Sequence, residues 1–261
     1  MVAVRLLWLH VRLAVLHELA YRVNFGVQLL TSAIGLAGSL LFLAVLQGHV
    51  DRLAGWGRAE LLALWGVFYV LTGLLGMVVQ PSLQRFMDDV RTGALDFVLS
   101  KPPDAQALVS IRQVEVWKLI DVALGVGMVA PAVRELGGQV GVGRALAFAA
   151  ALVAGGAIAY SCCLMLATVA FWSVRVENAL ILFLSFWETG RWPVGVYPPW
   201  LRGFLTFVVP VALATTVPAE VLSDRFSAPA LATSVALAAL LLLLSRWLWT
   251  RGLRRYAGAS S

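Results

Sequence analysis

The chain has 261 residues, 61% of them hydrophobic and 13% charged, with a formal net charge of +6 and a mean hydropathy of +0.86. Soluble domains average about 45–50% apolar and about 25% charged residues, and a chain of this size has no core large enough to hide the excess. Its apolar surface therefore faces lipid, which excludes a soluble enzyme, a disordered regulator and a disulfide scaffold.

In chain order, Arg5, Arg12 and Arg22 interrupt the opening apolar run, so no cleaved signal peptide is expected. Trp8 and Tyr21 suit a membrane interface, and residues 1–22 are expected to form an interfacial lead-in helix. Stretches without Asp, Glu, Lys or Arg at 23–50, 61–84, 145–174 and 226–245 are each long enough to cross about 30 Å of hydrocarbon. Residues 122–133 are too short alone. They continue a helix-like run that starts at Ala105 behind an N-cap at Asp104, and a further span is expected there. Lys118, one turn before Asp121, is placed to pair with it near the cytoplasmic mouth.

Beyond Asn178, Pro193, Pro198, Pro199, Pro210 and Pro218 put half of the ten prolines into 26 residues. Proline breaks helix interiors, and broken backbone at membrane depth is tolerated only inside protein or along a cavity. One crossing helix followed by a re-entrant outer hairpin is expected, within a Pro-rich region 188–225, with Trp187, Trp192, Tyr197 and Trp200 marking the interface. Counting Lys and Arg orients the chain. With six transmembrane helices and both termini cytoplasmic, 13 of the 20 basic residues fall on the inner side, whereas a seventh full span over 203–219 would export the terminal cluster Arg246, Arg251, Arg254 and Arg255. The expected fold is an all-α integral membrane protein, one domain over 1–261.

Within the inner loop 84–118, the segment RFMDDVRTGALDFVLSK (85–101) is the most informative. On a helix, Arg85, Asp88, Asp89, Thr92 and Asp96 share one arc, with Phe86, Met87, Val90, Ala94, Phe97 and Val98 opposite. This is an amphipathic helix at the cytoplasmic surface, either an interfacial connector or a docking helix. Its acidic face argues for docking to a protein, since anionic lipid favours Lys and Arg. Small residues recur along 145–174 at Ala147, Ala151, Gly155 and Ala159, a stripe for close helix packing within the subunit or between subunits. Glu188 and Arg191, three apart, are expected as a pair near the outer face, with Glu220 after Pro218 a similar case.

Catalytic and metal motifs are missing. Lys101 and Lys118 precede Pro102 and Leu119, so neither belongs to a P-loop, and His10, His17 and His49 form no HExxH pattern. Cys162 and Cys163 are adjacent within an apolar run and read as small buried residues. No catalytic, cofactor-binding or metal residue is expected, nor a nucleic-acid partner.

The loop pattern R-T-G-A-L-D-F-V-L-S-K-P after the second span resembles the cytoplasmic loop of ABC-2 type transporter permeases. The stretch GRWPVGVYPPWLRGFLTFVVPVALATTVPAEVL resembles that family's region after its fifth helix, in a branch of uncharacterised ABC-type permease components. The resemblance implies a multi-pass permease of the bacterial cytoplasmic membrane, working in an exporter as a homodimer or heterodimer. Two copies of a separate ATP-binding subunit would hold the ATP and Mg. It implies a coupling helix over 85–101, with Arg85, Asp88, Asp89, Arg91, Thr92, Gly93, Asp96 and Lys101. It implies outer-gate candidates Glu188, Arg191, Pro193, Pro210, Pro218 and Glu220. A secondary transporter or channel subunit without an ATPase is the competing expectation; it usually carries ionisable groups near the midplane, whereas the charges here are expected at the membrane edges.

Overall fold

The computed structural model describes residues 22–49, 52–100, 104–137, 141–173 and 177–256; the expected lead-in helix before Arg22 lies outside the described residues, as does Lys101. Among them the chain is helical, apart from an isolated bridge between Leu53 and Trp56.

Helix α1 is Arg22–Gln47. Helix α2 runs continuously from Arg58 to Thr92, 35 residues, or about 52 Å at 1.5 Å per residue. Its start is capped by Glu60, whose carboxylate accepts from the Gly57 N–H at 2.8 Å. A π-turn, Leu75–Val79, interrupts it just before Pro81. Proline has no N–H to offer the Met77 carbonyl four residues back, and the Glu115 N–H donates to it from the side at 2.8 Å. The π-turn and the inner loop are thus two parts of one device.

The same docking corrects the expected run from Ala105. Helix α3 covers only Ala105–Ser110, and the chain then leaves helical geometry. The Ser82 hydroxyl donates to the Gln113 carbonyl (2.9 Å) and accepts from the Gln113 N–H (3.0 Å), so this stretch spends its backbone groups on α2. The span proper is Val116–Glu135, whose α-helical part is α4, Leu119–Glu135. Gly66 and Gly125 let α2 and α4 approach backbone to backbone: a Cβ on Gly66 would lie 2.7 Å from the Gly125 carbonyl oxygen.

Helix α5, Val142–Thr168, returns to the Thr92 end of α2, the expected inner side, and α6, Glu177–Trp187, runs for only 11 residues before two 3-10 turns, Glu188–Arg191 and Val194–Val196. Helices α7, Pro199–Phe207, and α8, Val211–Leu222, meet at 89°. Both limbs end near the Arg58 end of the molecule, since Gly195 lies against Ala54 and Leu222 packs with Ala63 and Ala132. Helix α9, Ala228–Leu253, closes the chain behind an N-cap at Ser227. Among the described residues four helices are long and apolar enough to cross a membrane, or five if the bent pair counts as one.

The dry core lies where α5 meets α8 and α9, with α2 packed on α8. Ala151 and Ala159 are fully buried, and Gly155 faces the Ala214 carbonyl, which Pro218 leaves without its helical donor. A Cα–H of Gly155 points at that oxygen, and any larger residue would collide with it. The small-residue stripe is filled here from within the chain. At the inner end Phe86, Phe171 and Trp249 pack ring against ring.

A polar seam as the candidate functional site

On its opposite flank α2 carries Thr72, Gly76, Gln80, Gln84 and Asp88, polar or small at every fourth position. A stripe of period four drifts about 40° per repeat around a 3.6-residue helix. The extra residue in the Leu75–Val79 π-turn takes up part of that drift, so all five line one groove beside α6.

Three cavities follow one another along this groove. The outermost, about 420 Å³, is bounded by Gly35, Gly38, Ser39 and Phe42 of α1, with Trp65, Arg191 and Trp192. The middle one, about 380 Å³, is lined by Thr72, Gln80, Lys118, Ser185, Trp187 and Glu188 among others. The innermost, about 240 Å³, is lined by Gln84, Met87, Asp88, Arg91, Leu180 and Ile181.

Between the first two stands the Glu188–Arg191 ion pair. The Arg191 guanidinium lies 5.3 Å over the Phe68 ring, and the neighbouring Trp187 Nε1 donates to Thr72 Oγ1 at 2.9 Å. Phe68 and Thr72 are 10 and 14 residues into α2, about 15 and 21 Å below Arg58. The pair therefore packs about 15 to 21 Å along α2 from Arg58. A 3-10 turn follows the short α6 and draws both side chains down into the seam. Lys118 and Asp121 pair at 3.0 Å, with the Lys118 stem against Gly76 and Asp121 buried beside Gly73. Both pairs lie alongside α2 rather than beyond its ends.

The inner end differs from a helix lying flat. Residues 85–92 are the last turns of α2, ended by Gly93 in left-handed geometry (φ 76°), and a separate turn, Asp96–Leu99, follows. Asp89 is not on a solvated face; it is 1% exposed, held by Arg85 at 3.3 Å and by Arg112 from the inner loop. Desolvation, then the charge of Arg85, lowers the Arg112 pKa. Asp88 is half exposed and pairs with Arg91 at 2.8 Å, while its carbonyl accepts from Thr92 Oγ1 at 2.8 Å. Phe97 is 75% exposed. Asp104 binds Arg246 of α9 at 2.5 and 3.0 Å, and that hydrogen bonding holds its carboxyl below the ordinary carboxylate value.

The outer-gate candidates are divided between two places. Pro210 opens α8 at the bend, where Gly190 packs against Val211, so it adjoins the Glu188–Arg191 turn, and Pro193 follows that turn, buried. Pro218 lies within α8, and the half-buried Glu220 lies farther out, in electrostatic reach of Arg225 and Glu60. Arg225 joins Glu60 at 2.7 Å and the Gly55 carbonyl, fastening the start of α9 to the start of α2. Thr72, Gln80 and Gln84 escaped the sequence reading, although their four-residue spacing inside an otherwise apolar run was the available signal.

Over residues 33–260 the chain matches the family model described as ABC-2 family transporter protein. No curated protein and no solved structure matches it.

Proposed function

Because the chain belongs to the ABC-2 family of transporter proteins, we propose that it is the permease of an ATP-driven exporter in the bacterial cytoplasmic membrane. It works as a homodimer or heterodimer with two copies of a separate ATP-binding subunit, which holds the ATP and Mg. Both termini are cytoplasmic. Six crossings are made by α1, α2, Val116–Glu135, α5, α6 with its 3-10 turns, and α9, while α7 and α8 form a re-entrant outer hairpin.

The observation that carries this reading is the continuity of α2. One rod of about 52 Å lines the seam with its middle and extends past a hydrocarbon core of about 30 Å with its inner end. Its buried Asp89 locks that end to the inner loop through Arg112, so a push on the foot reaches the π-turn and the seam without passing through a flexible joint. The foot offers Asp88, Arg91, Thr92 and the exposed Phe97 to a soluble partner, with Gly93 and Asp96 shaping the turn between them. Nucleotide-driven closure of the partner would bias the permease between two packings by its differential affinity for them.

The test is ATP turnover of the reconstituted pair. Phe97→Asp should leave the protein inserted and folded, because Phe97 is 75% exposed and lines none of the three cavities, yet reduce cargo-stimulated turnover about tenfold, as loss of one anchor at an interface does. Unchanged turnover would remove the coupling role. The pairs Glu188–Arg191 and Lys118–Asp121 alongside α2 favour a second reading, a secondary transporter without an ATPase. Solute movement by the chain alone, with no nucleotide, would decide for it.

A further inference from the structure

We propose that the seam conducts the negatively charged head group of an amphiphile while its tail stays in the surrounding lipid. This rests on the transporter reading and names its cargo class. Each of the three cavities is lined by one basic side chain: Arg191, then Lys118, then Arg91. Each of these is held by a carboxylate three residues away, Glu188, Asp121 and Asp88 respectively. An unpaired charge inside a membrane is costly. The three carboxylates remove that cost while the cavities are empty, and an anionic head group takes over from each in turn as it passes. The carboxylate displaced at each step is left to solvent in the open groove, where Glu188 and Asp88 are each about half exposed.

The outermost cavity decides the sign of the cargo. Arg191 lines it and no carboxylate does, and a guanidinium fork suits phosphate or carboxylate oxygens. Its walls of Trp65, Trp192 and Phe42, edge to face at 5.2 and 5.6 Å, hold the first apolar atoms beyond the head. Size decides the rest. Cavities of 240 to 420 Å³ straddle the low end of small-molecule sites, about 300–1,000 Å³, and suit a head group rather than a whole lipid. The groove flank is apolar and exposed at Leu74, Ile181 and Leu182, which leaves the tail in lipid.

The test uses the full chain in phosphatidylcholine nanodiscs with three photoactivatable probes of identical hexadecyl tail: a phosphate, an alcohol and a trimethylammonium. Mass spectrometry locates the labelled residues. The phosphate should label cavity residues about tenfold more than either other probe, the worth of one charge-assisted contact. The paired neutralisation E188Q/R191Q should erase labelling around Trp65 and Trp192 and spare the innermost cavity. K118Q/D121N gives the corresponding reading in the middle cavity should the first variant fold poorly. Equal labelling by all three probes, or preference for the ammonium, overturns the proposal, and either result leaves the ATP-turnover test of Phe97 standing.

Discussion

The two flanks of α2 solve opposite problems with the same rod. Toward α4 and α8 the interface is dry and close: Gly66 and Gly125 bring the α2 and α4 backbones together, and Ala63 is fully buried against Ala132 and Leu222. Toward α1 and α6 the surface is polar, cavity-lined and crossed by ion pairs. Lipid tails are as apolar as leucine, so hydrophobicity cannot choose between these flanks; close backbone approach holds one shut and polar side chains keep the other open. A membrane helix can be anchored on one side and free to rearrange on the other.

Three substitutions would break or sharpen that contrast. The largest effect belongs to the dry core behind the closed flank, where α5 meets α8. Gly155→Leu drives a branched side chain into the Ala214 backbone, which cannot yield as a side chain would; the expected loss is about 3 kcal/mol, read as a collapse of the thermal transition in detergent. Retention of the wild-type Tm would mean that α8 is loosely seated.

On the seam flank the sign of coupling matters more than the size. Glu188→Gln leaves Arg191 without its carboxylate alongside α2 and should cost about 1 kcal/mol. Adding Arg191→Gln should restore most of it, because removing both partners of a poorly solvated pair is cheaper than removing one. Equal Tm values for the single and double variants would show that water screens the seam fully.

The smallest effect tests the fastening of α9 at the inner end. Arg246 holds the Asp104 carboxyl below its ordinary value of 3.8, so the stabilisation is complete above that pH and fades as pH falls through the lower folded value. Both groups are about half exposed, which limits the gain to under about 1 kcal/mol. The Tm gap between wild type and Arg246→Gln should therefore stay level down to about pH 4 and narrow below it; a constant gap would assign the effect of Arg246 to packing alone.

Much of the architecture was legible because lipid imposes a simple rule: long runs without charge become spans, and 23–50, 61–84, 145–174 and 226–245 each fall within or overlap a helix. The pairing of Lys118 with Asp121 was legible from spacing on a helix. The inner loop was not. Period alone placed Asp89 on a solvated face, yet Arg112, 23 residues away, buries it, and no local pattern reports a partner at that distance. Nor did the run from Ala105 reveal its break, since Ser82 and Met77 compete for its backbone groups from another helix.

Composition and the order of the charges were enough to specify a multi-pass helical membrane protein without a P-loop, because desolvation acts on each segment by itself. The place of the Glu188–Arg191 pair beside α2 and the joining of a period-four polar stripe into one seam were not specified that way. They depend on a short α6, a π-turn opposite Pro81 and a glycine at 155, features whose consequences exist only when separate helices are packed side by side.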